Sequence, residues 1–192
     1  MIIGLTSSMG CGASTVAKML EKFGARVISA DEIAQELLDR PEVKLELVKV
    51  FGEKILRGHK IDRNRLAEQA FKDEKSTAKL NSITHSLIIR EIKAQLKLFK
   101  KKSQHIVLDA PLLFELGLNN LVERVIVVSA SREKQLIRLQ DKGFTSQQIE
   151  QRLEAQMPLR EKTVRADYVI DNNGALKITE KKVKELWETL TR

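Results

Sequence analysis

Eight residues near the amino terminus, Ser7-Ser8-Met9-Gly10-Cys11-Gly12-Ala13-Ser14, have the types and spacing of a loop that holds phosphate. Small residues let backbone N–H groups turn inward around an anion. A helix starting at the loop's end adds its unpaired N–H groups and its dipole. The complete pattern is G-x-x-x-x-G-K-[ST], in which the lysine reaches the β- and γ-phosphates and the Ser or Thr hydroxyl holds Mg2+. Here Gly12 and Ser14 match, Ser7 stands at the first glycine and Ala13 at the lysine. Gly10 and Gly12 supply the turning, and Thr15 follows Ser14 into the helix. The pattern lacks one positive charge where a transferred phosphoryl group would sit. These residues alone leave two readings open: a phosphate loop without its lysine, or a strand-to-helix turn built with glycine. Cys11 lies near the helix start, where a thiol pKa can fall, so a redox role is a further expectation.

Other residues carry possible chemistry. Asp31 follows a strand-like run and can orient a hydroxyl for in-line attack; it can equally cap a helix over 32–38. Asp109 ends the strand-like "IVLD", as an acid helping to hold Mg2+ does, or as a turn residue before Pro111. His85 is a lone histidine in a helical pattern and reads as structural. Asn172 and Gly174 in "DNNG" favour a turn.

The elements that must position these residues follow from the apolar pattern. Val- and Ile-rich runs at 2–6, 26–29, 105–108, 125–129 and 168–170 barely alternate, as strands buried on both faces of a parallel sheet do. Helical patterns over 14–23, 31–38, 43–51, 63–71, 75–102, 132–142, 146–155 and 176–189 separate them. The alternation predicts an α/β fold: a three-layer, doubly wound, parallel five-stranded sheet. One domain is expected, with a core of about 1–40, 103–131 and 157–192. A helical insertion of about 41–102 shows no strand, and a helical lid covers about 132–156. Both insertions flank the carboxyl ends of the strands, where ligands of such sheets bind.

Composition bounds the function. The chain has 192 residues, 34 Lys and Arg against 26 Asp and Glu, and a net charge of +8, which points to a polyanionic partner such as a nucleotide. Six Phe, one Trp and one Tyr are too few for a base-stacking platform, so a nucleic-acid module ranks last. The lysine run 100–102 suits a helix C-terminus. No apolar run is long enough to span a bilayer, and no signal peptide is expected. A single cysteine fits a reducing cytoplasm.

In order and spacing, "GARVISADEIAQELL", "KIDRNRLAEQAF", "LNSITHSLI", "IVLDAPLLFELGL", "VIVVSASREKQLIRL", "AQMPLREK" and "ADYVIDNNGAL" resemble the dephospho-coenzyme A kinase family. The resemblance covers nearly all of the chain. It implies phosphorylation of the ribose 3′-hydroxyl of dephospho-coenzyme A, with ATP and Mg2+ as cofactors and no nucleic-acid or membrane partner, by a monomer or small homo-oligomer. It implies Asp31 as the catalytic base and Ser14 as the metal ligand. Gly10, Cys11, Gly12, Ala13, Ser14, Thr15, Arg138, Lys142 and Asn172 would hold the nucleotide. Thr6, Asp31, Arg63, His85, Asp109, Pro111 and Leu112 would bind the acceptor.

The chain departs from the family pattern in several places. Ser7-Ser8 replaces a glycine pair, Ala13 the lysine, and Ser86 the proline that follows the family's histidine. The lid run "IRLQDKGFT" is one residue short, which leaves Asp141, Lys142 or Arg138 where the family aims an arginine at the phosphates. The cations available as substitutes are Lys18, Arg63, Arg138, Lys142, Arg160 and Lys162. A homologue that binds nucleotide or coenzyme A without transferring phosphate is the alternative reading.

Overall fold

The computed structural model describes residues 1–192, in two compact units: residues 1–29 with 95–192, and residues 30–94. In chain order the elements begin with β1 (Ile2–Ser7), α1 (Ala13–Lys22) and β2 (Arg26–Ser29). The second unit then holds α2 (Ala30–Leu38), α3 (Pro41–Phe51), β3 (Leu56–Arg57), β4 (Lys60–Ile61), α4 (Arg63–Ala70) and the first part of α5 (Glu74–Lys100). The chain returns through β5 (Ile106–Asp109), β6 (Arg124–Ser129), α6 (Arg132–Gln140), α7 (Ser146–Glu154), α8 (Leu159–Val164), β7 (Tyr168–Asp171) and α9 (Leu176–Thr191).

The five long strands form one parallel sheet in the order β2-β5-β1-β6-β7, flanked by helices, as the buried apolar runs predict. β1 is central and all six of its residues are buried. Its Leu5 lies level with Asp109 of β5 and Ile126 of β6, so the carboxyl ends of the three strands share one edge. Ile3, Leu5, Val107, Ile126 and Val128 pack with Val16 and Leu20 of α1 and Val183 and Trp187 of α9 in one core. Each such aliphatic side chain contributes roughly 1.5–3 kcal/mol on burial. The loop leaving β1 is therefore anchored at both ends.

The second unit has its own core of Val43, Leu47, Phe51, Ile55, Leu66 and Ala70. It also contains a strand pair that the sequence does not show: β3 and β4 form a two-residue antiparallel hairpin around Gly58, which sits at φ +63°. Two-residue strands carrying Arg57 and Lys60 are too short and too charged to reveal a period of two. α8 is likewise absent from the sequence reading, because six residues do not complete an apolar period. α2 begins at Ala30, so Asp31 lies inside its first turn. Capping a helix over 32–38 is thereby ruled out for Asp31.

Candidate functional site

The loop between β1 and α1 is shaped by two glycines in the left-handed region, Gly10 at φ +83° and Gly12 at φ +95°. A Cβ on Gly12 would fall 2.3 Å from Asn172 Nδ2, and one on Gly10 3.0 Å from the backbone of Gln135. Both positions therefore demand glycine for its conformation and for its size. α1 starts directly after Gly12 with no side-chain cap and no acidic residue in its first turn. Its leading N–H groups have no partner within the helix, and the exposed side chains of Ser14 and Thr15 stand at its mouth. A helix end of this form can receive an anion, with a hydroxyl beside it.

Side chains from distant segments hold the loop in this shape. Arg138, in the last turn of α6, donates through one terminal nitrogen to the carbonyls of Gly10 and Cys11, both at 3.2 Å, and through the other to the Asn172 carbonyl at 2.8 Å. Asn172 donates from Nδ2 to the Cys11 carbonyl and accepts at Oδ1 from the Thr179 hydroxyl, both at 2.8 Å. Gln156, between α7 and α8, accepts from the Met9 N–H at 3.2 Å. An arginine carries five donors. Three contacts leave Arg138 with donors to spare and its charge at the loop.

The remaining expected residues of this unit fall into two groups. Asp109 closes β5, and Pro111 and Leu112 follow, half-buried, at the shared carboxyl edge of the strands. Thr6 and Cys11 instead turn inward. Thr6 is fully buried and its hydroxyl donates to the Pro111 carbonyl, so it holds that loop in place. Cys11 packs in the core, and burial pushes its thiol pKa up. Burial thus opposes the fall in thiol pKa expected at a helix start: the loop offers its backbone at Cys11, and the sulfur packs in the core. The side chain of Asn172 is likewise committed to Cys11 and Thr179.

The cations divide in the same way. Ala13, at the lysine position, packs its methyl in the core. Lys18, Lys142 and Arg160 are exposed. Lys162 is fully buried and ion-paired to Glu115 at 2.9 Å, so its charge is neutralised within the protein. Among the candidates of this unit, Arg138 alone contacts the loop while retaining an unpaired charge.

In the second unit, Asp31 lies two residues beyond the end of β2. Its residue surface is exposed, yet enough protein surrounds the carboxyl for desolvation to raise its pKa, with a smaller push from Glu32. Arg63 opens α4 and donates to Gln35 at 2.6 Å. It lines an open cleft of about 570 Å3 together with Arg57, Lys60, Ile61, Asn64, Asp39 and Asp62. His85 is half-buried in α5, and desolvation lowers its pKa. No helix is long and apolar enough to cross a membrane. No group of three or more His, Cys, Asp or Glu gathers to hold a metal. Mg2+ does not require one, since it binds through one or two protein groups, waters and substrate phosphates.

A family model described as dephospho-CoA kinase matches residues 1–177. The chain belongs to the dephospho-CoA kinase family. It is 42% identical over 191 residues to a dephospho-CoA kinase of Corynebacterium diphtheriae, a match covering 97% of this chain and 96% of that one. Among solved structures it resembles a protein of Thermus thermophilus with a TM-score of 0.82 and 31% identity, covering 100% of this chain and 98% of that one. It also resembles dephospho-CoA kinase from Campylobacter jejuni with a TM-score of 0.74 and 29% identity, covering 98% and 96%. Sequence reasoning missed several residues that shape the site of this family member: Gln135, Gln156, Glu115 and Thr179. Gln156 and Glu115 sit inside stretches that carry the resemblance, "AQMPLREK" and "DAPLLFELGL", and that placement was the one signal pointing to them.

Proposed function

We propose that this chain transfers the γ-phosphoryl group of ATP to the ribose 3′-hydroxyl of dephospho-coenzyme A, giving coenzyme A. The observation that carries this reading is the loop itself. It keeps the glycine geometry and the open helix end of a phosphate cradle, in a chain that matches the kinase family from residue 1 to 177.

The residues take the following parts. The backbone N–H groups at the start of α1 receive the phosphates. Arg138 supplies the positive charge that Ala13 withholds. Asp31 accepts the proton of the 3′-hydroxyl as its oxygen bonds to the γ-phosphorus and the bond to the β-phosphate oxygen breaks, releasing ADP. A raised carboxylate pKa suits this task, because a base works best when its pKa approaches the working pH. Mg2+, resting on the Ser14 hydroxyl, would neutralise charge on the phosphates. Arg63 binds a phosphate of the acceptor, and Asp109, Pro111 and Leu112 line it. Thr6 and Asn172 act one step back, by holding Pro111 and the loop.

A second reading, nucleotide binding without transfer, draws on Ala13. Removing one well-placed donor costs about 10²–10³ in rate, which slows such an enzyme without silencing it. The test replaces Asp31 by Asn and Ala13 by Lys. Coenzyme A formation that falls in Asp31→Asn supports the kinase. A parent that forms none, beside an Ala13→Lys protein that forms it, establishes the binding protein instead.

A further inference from the structure

Lys162 is a fully buried lysine that the chemistry above does not use. Its ammonium carries three donors, and three oxygens surround it. It donates to the Ser7 carbonyl at 3.4 Å, to the Pro111 carbonyl at 2.5 Å and to Glu115 Oε1 at 2.9 Å. Ser7 ends β1 and opens the phosphate loop. Pro111 belongs to the loop leaving β5. Glu115 in turn accepts from the Met157 N–H at 2.8 Å, and the adjoining Gln156 accepts from Met9 of the phosphate loop. One ion pair, its lysine fully buried and its carboxylate partly exposed, thus joins the start of the phosphate loop, the β5 exit and the segment that follows α7.

We infer that Lys162 and Glu115 form a positioning pair that sets the phosphate loop for ATP. The inference rests on the proposed function for its substrate. An ion pair with a buried partner gives little net stability, because the desolvation of Lys162 offsets much of the attraction to Glu115. Replacing both partners by neutral groups of similar volume therefore preserves the fold. What such a replacement loses is direction: three fixed hydrogen bonds from one ammonium to three separate segments. Pro111 retains the Thr6 hydroxyl when Lys162 is removed, at 3.2 Å. The Ser7 carbonyl loses its ammonium donor. The consequence falls on the nucleotide side of the site.

The decisive comparison is between Lys162→Met alone, Lys162→Met with Glu115→Gln, and the parent. Lys162→Met alone strands a partly buried carboxylate and is expected to melt earlier. The double variant is expected to melt within a few degrees of the parent. In the double variant the backbone amides of residues 8–12 are expected to exchange hydrogen about tenfold faster, and ATP to bind about tenfold more weakly. Dephospho-coenzyme A, measured by calorimetry without ATP, is expected to bind within twofold of the parent. A double variant that recovers the parent's melting temperature together with its loop exchange and ATP affinity overturns the proposal, and so does an equal loss for both substrates. Loop exchange is read without ligand, so it judges the pair even if the parent forms no coenzyme A, a result that counts against the proposed function alone.

Discussion

Substituting Gly12 by Ala separates the two demands made on that glycine. The first demand is conformational: a φ of +95° costs a side-chain-bearing residue roughly 1–2 kcal/mol. The second is steric: the new methyl would sit 2.3 Å from Asn172 Nδ2, so Asn172 must move. Moving it breaks its bonds to the Cys11 carbonyl and the Thr179 hydroxyl, both buried. A buried polar group left unpaired costs about 1–3 kcal/mol, so the total for Gly12→Ala is about 2–5 kcal/mol. Gly24 provides the internal control. It has a φ of +101°, and no atom lies within 4 Å of where its Cβ would be. Gly24→Ala should cost only the conformational part. The assay is urea unfolding followed by the fluorescence of Trp187, the single tryptophan, which packs in the core beneath α1. Gly12→Ala is expected to exceed Gly24→Ala by about 2 kcal/mol, equivalent to about 4–8 °C in melting temperature for a chain of this size. Equal losses at the two glycines would show that Asn172 does not press on the loop, and the clamp described above would be wrong.

Other outcomes follow from the site. The raised pKa of Asp31 places the acid limb of kcat above the ordinary carboxylate value of 3.8, with activity rising with pH as the base ionises; Asp31→Asn should lower kcat by about 10²–10⁴ and abolish that limb. In stability the sign reverses. The folded state holds the Asp31 proton more tightly, so this group subtracts stability as pH rises from 3.8 through the raised value, and Asp31→Asn should unfold at higher urea than the parent at pH 7 and match it at pH 3. Arg138→Met should lower kcat by about 10²–10³, with Arg138→Lys recovering part of it through the restored charge; a kcat unchanged in Arg138→Met would remove Arg138 as the substitute cation. Cys11, buried with a raised pKa, should resist alkylation in the folded protein at pH 7.5 and react once urea unfolds it, whereas rapid native labelling would place the sulfur at the surface.

The centre of the sheet was legible because β5, β1 and β6 are buried on both faces. Ile2-Ile3 and Val125 to Val128 read as continuous apolar runs, and the pairing order accommodates all five. The loop was legible from Gly10 and Gly12, whose left-handed backbone few other residues adopt. What escaped was set by distance along the chain. Asn172 looked like a turn residue, yet its amide reaches 161 positions back to Cys11. Lys162 was counted among the cations able to replace the missing lysine, and its burial depends on Glu115 and two carbonyls that no local pattern couples to it. Asp31 looked able to cap a helix, and only the start of α2 at Ala30 removed that role.

The central claim is that a phosphate loop lacking its lysine still transfers phosphate. The direct measurement is the mass of dephospho-coenzyme A after incubation with the parent protein, Mg2+ and ATP labelled with 18O on the γ-phosphate. The account predicts product heavier by one labelled phosphoryl group, formed over many turnovers. An unlabelled acceptor of unchanged mass, with ATP and dephospho-coenzyme A both bound to the protein, would contradict it.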